Sequence, residues 1–411
     1  MRFNTALLHG DFRGDKKTGA TQTPVYQSSA FEHASAETLE KIFNNKAPGF
    51  SYSRISNPTV DAFERRMTAL EGGIASVSCA SGMAAITNAF TNILRSGDEI
   101  VCSASLYGGS IDLFRDLENF GIKTHYVENN NIEQFEAATN DNTRLYFAET
   151  IGNPRLDVTD IKLLSEAAHK AGVPLIVDNT VATAYLIKPI EYGADIVVNS
   201  TSKYVNGNSN SISGVITDSG NFKWDSVKYP GMKEYVKFGP YAYTAKLRNG
   251  IYRNTGACLS PQNAFYNILG IETLGLRMER ITDNALKLAE YLDTNYSFLN
   301  VNYPGLKSSE FHAIADKELN NGYGGIITIR TGSKENAFKF INALKLPLNV
   351  SNIGDTKTLV IHPGSTISAH STEEEKKIAG VFDDLVRISV GIEDIEDLIE
   401  DFTQAVEFIQ Q

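Results

Sequence analysis

The sequence contains few cysteines, no long apolar run and no excess of positive charge. Its three cysteines, Cys79, Cys102 and Cys258, lie far apart, and an odd count without paired spacing argues against a disulfide framework or a zinc site. We therefore expect no metal centre, and thiols that stay reduced. No apolar stretch approaches the length that spans a bilayer, and residues 1–5 lack the apolar run of a signal peptide. These absences predict a cytoplasmic protein without a membrane partner.

The charge balance is acidic, because 38 Lys and Arg residues stand against 49 Asp and Glu residues, for a net charge of −11. Such a balance argues against a nucleic-acid partner or an anionic membrane surface. With 42% hydrophobic and 21% charged residues, the composition is typical of a soluble globular protein. A chain of 411 residues is too long for one ordinary core, so we expect two or three domains.

The order of apolar runs and helical segments divides the chain into three parts. Residues up to about Pro58 are rich in Thr, Ser, Gly and Asn and are predicted to form an irregular arm. From Val60 onward, strands and helices alternate, which predicts an α/β protein with a mostly parallel, doubly wound sheet. After about Gly256, a long helical stretch and strands separated by charged helices predict a smaller α+β domain. The predicted division is an N-terminal arm at 1–59, a large domain at 60–256 and a C-terminal domain at 257–411.

The predicted elements of the large domain are short. Its strands are expected at 76–79, 99–102, 123–127, 145–148, 174–177 and 194–198. A further amphipathic helix is predicted to close the chain from residue 392.

Lys203 follows the last of these strands within the run Ser200-Thr201-Ser202-Lys203. Open α/β sheets bind ligands at the carboxyl ends of their strands, where this lysine is expected to lie. The hydroxyls of Ser200 and Ser202 could bond an anionic group beside the amine. An amine next to a phosphate-sized site is what a Schiff base with pyridoxal phosphate requires. Lysines follow strands in many unrelated proteins, so this motif alone is a weak indication.

Two further motifs fit the same cofactor. Asp178 ends the strand at 174–177, and a buried carboxylate is costly unless it pairs with a cation such as a protonated pyridine nitrogen. The alternative is that Asp178 merely begins a turn. Ser81, Gly82 and Met83 begin a helix after a strand, where backbone N–H groups bind phosphate, although a plain N-cap explains them equally well.

Two loop residues complete this set. Tyr107, followed by two glycines, could stack on a pyridine face and use its hydroxyl as an acid or base, or it could simply pack in a core. Asn153 precedes a proline and is therefore held extended, so its amide could reach the cofactor, or it could form an ordinary Asn-Pro turn. All these residues follow successive predicted strands, so we expect them at one edge of the sheet.

Taken together, the motifs resemble the Cys/Met-metabolism family of pyridoxal-phosphate enzymes over nearly the whole chain. Residues 52–59, Tyr-Ser-Arg-Ile-Ser-Asn-Pro-Thr, are similar to the family's arm motif. The resemblance implies the type I fold, with a mostly parallel seven-stranded sheet domain and a smaller C-terminal α+β domain. It also implies that Tyr52 and Arg54 bind the cofactor phosphate of the neighbouring subunit, in a homotetramer built as a dimer of dimers.

Within the family, several segments resemble the O-acetylhomoserine sulfhydrylase branch. These segments are 149–154, 260–265, 270–274, 303–306, 352–355 and 360–363. This resemblance implies γ-replacement on O-acetyl-L-homoserine by sulfide or a small thiol. Arg387 matches the arginine that binds the substrate α-carboxylate, with Asn352 beside it. A surface arginine is the alternative, although the flanks of Arg387 are apolar and an unpaired charge there would be costly.

The expected roles follow from the resemblance. Lys203 would hold the cofactor and then act as a base, with its pKa lowered by burial and nearby positive charge, while Tyr107 would assist proton transfer near the leaving group. A cystathionine γ-synthase, a methionine or cystathionine γ-lyase, and a catalytically silent scaffold remain alternatives.

Three segments depart from the family pattern. Asn199 stands where much of the family has histidine, and residues 205–211 differ from the expected glycine- and histidine-containing loop. Residues 363–370 also differ, with Gly364 and a shifted histidine at His370. These departures leave Lys203 intact and bear on the substrate channel and the preferred thiol.

Overall fold

A seven-stranded sheet forms the centre of the computed structural model, which describes residues 1–10, 14–15, 18–369 and 371–410. The strands lie in the order β1-β7-β6-β5-β4-β2-β3. Their bounds are β1 (Ala75–Cys79), β2 (Glu99–Ser103), β3 (Lys123–Val127), β4 (Thr143–Glu149), β5 (Leu175–Asp178), β6 (Ile196–Asn199) and β7 (Gly214–Asp218). Strand β7 runs opposite to the other six strands of this sheet, so the predicted mostly parallel sheet is confirmed.

All six predicted strands of this sheet are present, with ends that agree to within two residues. Strand β7 was not predicted, because its adjacent apolar residues are just Val215 and Ile216, too few for a recognisable pattern.

Helices cover both faces of the sheet, since alternate strand residues belong to two separate cores. In β6, Val197 lies in one core while Ile196 and Val198 lie in the other. This alternation follows from the two-residue period of a strand, and it shows a doubly wound sheet. The helices from the N-terminus through this region are α1 (Phe3–His9), α2 (Ala36–Phe43), α3 (Pro58–Glu71), α4 (Gly82–Thr91), α5 (Gly108–Glu118), α6 (Ile132–Ala138), α7 (Ile161–Lys170), α8 (Thr183–Leu186), α9 (Ala242–Asn249) and α10 (Ile251–Thr255).

The N-terminal segment is more ordered than expected. The prediction of an irregular arm is wrong for α1 and α2, and Ser35 caps α2 by accepting a hydrogen bond from the Thr38 N–H. Both helices are shorter than two and a half turns, and in a Ser- and Gly-rich segment such short helices leave little periodicity to detect. Helix α2 has no buried residue, and 51% of Phe43 is exposed.

A second, four-stranded sheet lies in the C-terminal part, with the order β8-β11-β10-β9. Its strands are β8 (Ile326–Arg330), β9 (Leu348–Asn349), β10 (Leu359–Ile361) and β11 (Leu385–Ser389). The helices from residue 261 to the C-terminus are α11 (Pro261–Glu272), α12 (Leu274–Asn295), α13 (His312–Glu318), α14 (Lys334–Ala343), α15 (Glu373–Ile378) and α16 (Ile395–Gln410). The long helical stretch predicted after about Gly256 is divided into two helices at Thr273. Ile268 of α11 packs in the same core as Val177 of β5, so this helix is attached to the large sheet.

Across the described ranges, no helix combines the length and the apolar character needed to cross a bilayer.

Candidate functional site

A cavity of about 400 Å³ opens at the carboxyl ends of β4, β5 and β6, between the large sheet and the C-terminal part. Eleven of the thirteen predicted site residues line it. They are Ser81, Gly82, Met83, Tyr107, Asn153, Asp178, Ser200, Ser202, Lys203, Asn352 and Arg387. Because parallel strands end at a common edge, side chains far apart in sequence meet here. Tyr52 and Arg54 are not among its lining residues.

The amine of Lys203 lies in the turn that follows β6 and points into the cavity. Its Nζ donates a hydrogen bond to Asn352 Oδ1 at 2.6 Å. Burial lowers the pKa of Lys203 to about 8, and the positive charge of Arg387 acts in the same direction. A larger fraction of this amine is therefore neutral near pH 7 than of an exposed lysine, which makes it a better nucleophile and base.

Asp178 and Glu149 place two carboxyl groups on the same side of the cavity. They are paired residues on the adjacent strands β4 and β5. Burial raises the pKa of both side chains, and the charge of Asp178 further raises that of Glu149. Asp178 accepts a hydrogen bond from the Thr180 N–H at 2.9 Å, and no cation among the described residues acts on its carboxylate. A cationic ring nitrogen in the cavity would relieve this unfavourable arrangement.

The start of helix α4 forms a close-fitting cradle. Ser81 caps the helix through a hydrogen bond from the Ala84 N–H at 3.0 Å. A Cβ atom on Gly82 would lie 2.5 Å from Ser200 Cβ, so only glycine allows this approach. Backbone N–H groups at the start of a ten-residue helix favour a phosphate group.

The two predicted hydroxyl groups differ in their availability. Ser202 Oγ accepts from the Ser213 N–H at 2.8 Å and donates to the Ser213 carbonyl at 3.1 Å, so its proton is already used. The Ser200 N–H donates to Thr180 Oγ1 at 2.7 Å, while the Ser200 side chain faces the cavity. Of the two, Ser200 is therefore the better placed donor for an anion.

Tyr107 lies at the entrance of the cavity, where it precedes helix α5. Its N–H donates to Glu149 Oε1 at 2.6 Å, and 41% of the residue is exposed. A Cβ on Gly109 would lie 2.5 Å from Tyr107 Cε1, so the glycine gives the ring room to fold across the helix start. This exposure argues against the core-packing alternative.

Arg387 on β11 belongs to the C-terminal part of the chain and lines the cavity. It is 4% exposed, and it donates to Asn153 Oδ1 at 3.2 Å and to the Asn352 carbonyl at 3.1 Å. Burial lowers its pKa to about 10, and the guanidinium remains charged near neutral pH. Neither partner is anionic, so this cation is available to a carboxylate ligand. The surface alternative for Arg387 is wrong.

Tyr52 and Arg54 lie on the outside of the chain. Arg54 Nη1 donates to the Arg253 carbonyl at 2.6 Å, its guanidinium stacks 5.6 Å from the centre of the Tyr52 ring, and 43% of Tyr52 is exposed. Their assignment to a neighbouring subunit stays a prediction.

Two carboxylates near the site, those of Glu149 and Glu71, were not predicted from the sequence. Glu149 ends β4 in the way that Asp178 ends β5, so the strand-end rule that found Asp178 also applied to it. Glu71 lies at the end of α3 and accepts a hydrogen bond from Asn199 Nδ2 at 2.8 Å, a contact that no local pattern indicates. His370, in the departing segment 363–370, lies outside the described residues. Within those residues, no group of three or more His, Cys, Asp or Glu side chains is arranged to hold a metal ion.

The donor set of this cavity fits pyridoxal phosphate. The Lys203 amine, whose pKa is lowered, would react with the cofactor's aldehyde. The Asp178 carboxylate, which no cation of the described residues neutralises, would face the ring nitrogen, and the start of α4 at Gly82 would hold the phosphate.

Comparisons with known proteins agree with this chemistry. The model of the family described as Cys/Met metabolism PLP-dependent enzyme matches residues 4–407. The O-acetyl-L-homoserine sulfhydrylase of Corynebacterium glutamicum is 43% identical, over 97% of this chain and 95% of the relative. The homocysteine synthase of Schizosaccharomyces pombe is 40% identical, over 98% of each protein.

Two solved structures share the whole fold. A Campylobacter jejuni protein named as an O-acetylhomoserine (thiol)-lyase, solved with a pyridoxyl-lysine phosphate, superposes with a TM-score of 0.94 at 32% identity, covering 99% of this chain and 100% of that one. The cystathionine γ-lyase of Lactobacillus plantarum superposes with a TM-score of 0.88 at 30% identity and complete coverage of both chains. These likenesses confirm the predicted fold and cofactor. With the family match across almost its full length, this chain belongs to the Cys/Met-metabolism family of PLP-dependent enzymes.

Proposed function

We propose that this enzyme catalyses γ-replacement on O-acetyl-L-homoserine with sulfide or a small thiol, releasing acetate and giving homocysteine or a homologue. The observation that carries the proposal is the meeting of Lys203, Asp178 and Arg387 in one cavity. Relatives about 40% identical along the whole chain bear the names O-acetyl-L-homoserine sulfhydrylase and homocysteine synthase.

The cofactor would be held by Lys203, by Asp178 and by the cradle at Gly82, Met83 and Ser200. When bound, pyridoxal phosphate supplies a ring that accepts electrons from the substrate α-carbon.

Separate residues of the protein bind the substrate and transfer protons. Arg387 binds the substrate α-carboxylate, and Asn153 and Asn352 orient its guanidinium through their oxygens. The amine of Lys203, neutral in an appreciable fraction near pH 7, takes the α-proton. The Tyr107 hydroxyl, at the entrance of the cavity, moves a proton at the γ-carbon end as acetate departs. The apolar side chains of Ile151, Val181 and Ile353 line the cavity and help to exclude water.

The first test is product analysis with purified enzyme. We expect homocysteine and acetate from O-acetylhomoserine with sulfide, and loss of turnover in Lys203→Ala. Ammonia and a 2-oxo acid from methionine alone would instead identify a γ-lyase. This is the main alternative activity, because the structurally similar Lactobacillus plantarum protein is named a cystathionine γ-lyase. A panel of acetyl and succinyl esters and of thiols would then identify the leaving group and the sulfur donor.

We also propose a homotetramer in the cytoplasm. Free cysteines suit a reducing compartment, and Cys79 and Cys102 are buried without a disulfide partner. The exposed pair of Tyr52 and Arg54 supports shared sites between subunits.

A further inference from the structure

A chain of side-chain hydrogen bonds runs from a buried carboxylate to the amine of Lys203. Ser209 Oγ bonds to Asp355 Oδ2, and Asn352 Nδ2 lies 2.8 Å from Ser209 Oγ. At the other end of the same amide, Asn352 Oδ1 lies 2.6 Å from Lys203 Nζ. We call these four residues the Asp355 relay. Ser209 belongs to the segment 205–211, which departs from the family pattern.

The direction of every bond in the relay follows from Asp355. Asp355 is 4% exposed, and burial by itself would raise its pKa. The Ser209 hydroxyl, the Lys357 N–H and the Lys357 ammonium at 3.3 Å outweigh burial and hold that pKa below its usual value. Asp355 is therefore a carboxylate at neutral pH and can only accept hydrogen bonds.

Because Asp355 accepts, the single hydroxyl proton of Ser209 points towards it. Ser209 Oγ then has only lone pairs to offer to Asn352, so the Asn352 NH₂ group must face Ser209. The oxygen of the amide consequently faces Lys203. Without the relay, the two ends of this amide could exchange places, since both fit the same space.

The local backbone supports this arrangement. Ser209 has a φ of +53°, a left-handed conformation that is unfavourable for a residue with a side chain. The flanking N–H groups of Asn208 and Asn210 both donate to Asn206 Oδ1, at 3.1 and 3.4 Å, which holds the loop in place. The loop thus presents the Ser209 hydroxyl between Asp355 and Asn352.

We propose that Ser209 and Asp355 are positioning residues, which fix the Asn352 amide so that its oxygen holds the Lys203 amine in the cavity. The proposal rests on the role assigned to Lys203 above. The relay would act whenever the amine is free, before cofactor attachment and after the substrate has displaced it. An oxygen that accepts one N–H leaves the nitrogen lone pair directed elsewhere, towards its reaction partner.

The test uses the full-length protein freed of its cofactor, with pyridoxal phosphate as the probe. The rate of its uptake is measured by absorbance at pH values on both sides of 8, the pKa expected for Lys203. In Ser209→Ala, the amide can turn its NH₂ group towards the amine, which disfavours the ammonium form. We expect the midpoint of the pH profile to fall by about one pH unit.

Two matched variants separate positioning from a structural role. Asn208→Ala changes the adjacent exposed residue, whose side chain bonds only to the Asn206 carbonyl among the described residues. Its midpoint should equal that of the unmodified protein. In Asn352→Asp, both side-chain oxygens are acceptors, so adding Ser209→Ala should not move the midpoint further. A Ser209→Ala midpoint equal to that of Asn208→Ala would overturn the proposal. It would also be overturned if adding Ser209→Ala to Asn352→Asp lowered the midpoint as much as Ser209→Ala does alone. Uptake needs no amino-acid substrate, so failure of the proposed γ-replacement leaves this test unaffected.

Discussion

Burial is the main cause of the pKa shifts of Glu71, Asp178 and Lys203. Glu71 shows this most clearly, because it is fully buried and accepts hydrogen bonds from the amides of Asn199 and Asn179. Asn199 occupies the position at which the family resemblance predicts histidine, and a neutral amide cannot supply the positive charge of an imidazolium. Burial therefore raises the pKa of Glu71 to about 7, with a smaller contribution from the charge of Asp178, although the two amides and Lys188 oppose it.

The shift of Glu71 predicts how stability depends on pH. Its pKa in the folded protein lies above the ordinary value of 4.5, so the folded state binds this proton more tightly than the unfolded state. Its stabilising contribution is complete below the ordinary pKa and is lost as the pH rises through about 7. Glu71→Gln has no charge to bury, so its free energy of unfolding should rise by about 3 kcal/mol relative to that of the unmodified protein between acidic and mildly alkaline pH.

Thermal unfolding at fixed protein concentration on both sides of pH 7 measures this difference. A difference between Glu71→Gln and the unmodified protein that does not change with pH would contradict the assignment.

At the level of elements, the site depends on how closely the start of α4 approaches the turn after β6. The Cβ that an alanine would add at Gly82 meets Ser200 Cβ at 2.5 Å and Ser200 Oγ at 2.8 Å, so the helix or the turn must move. The turn carries Lys203, and the helix start carries the N–H groups expected to bind phosphate. One side chain at this position therefore disturbs two parts of the cofactor site.

Gly82→Ala should weaken the binding of pyridoxal phosphate by at least about tenfold, because phosphate contacts at a helix start require close backbone approach. Gly108→Ala is the matched control, since Gly108 lies at the first position of α5 on the same edge of the sheet. Of the atoms that the structure describes, its Cβ would meet the Ile367 carbonyl alone, at 3.4 Å. Titration of cofactor-free protein measures both affinities. Equal affinities for the two variants would show that the cradle does not bind phosphate.

In the whole molecule, the position of Arg54 bears on how the subunits are arranged. Arg54 lies outside its own chain's cavity and beside an exposed tyrosine, which suits a contribution to a neighbouring subunit. If so, each active site combines Lys203 from one subunit with Arg54 from the other. Two differently damaged subunits could then rebuild an intact site between them.

Mixing Lys203→Ala with Arg54→Ala subunits should recover about one quarter of full activity, because random pairing leaves one intact site in half of the dimers. Each variant alone should have little activity. The measurement is turnover after the two proteins have been unfolded and refolded together, compared with each refolded alone. Activity that stays at the level of the separate variants would place Arg54 in a role within its own subunit.

Local sequence was sufficient to place Lys203, Asp178, Ser81 and Tyr107 at one edge of the sheet. Short apolar runs identify buried strands, and parallel strands end at a common edge, so strand-end residues can be located without tertiary information. Glu149 obeyed the same rule and was overlooked. The domain boundaries at residues 59 and 256 stay a prediction, since α11 lies beyond the second boundary but packs on the large sheet.

Arg387 and Asn352 were matched to the substrate site through family resemblance, and only the fold shows why they serve it. They lie about 150 residues or more beyond Lys203, Arg387 on strand β11 of the second sheet and Asn352 in the loop between β9 and β10. They reach the cavity because the two parts of the chain pack against each other. The same holds for the proximity of Glu71 to Asn199 and for the bond from Ser209 to Asp355. Sequence by itself thus determined the strands and the reactive groups at their ends, because periodicity is local. The tertiary structure decided which charges face one another and how burial shifts them, because these depend on packing between distant segments.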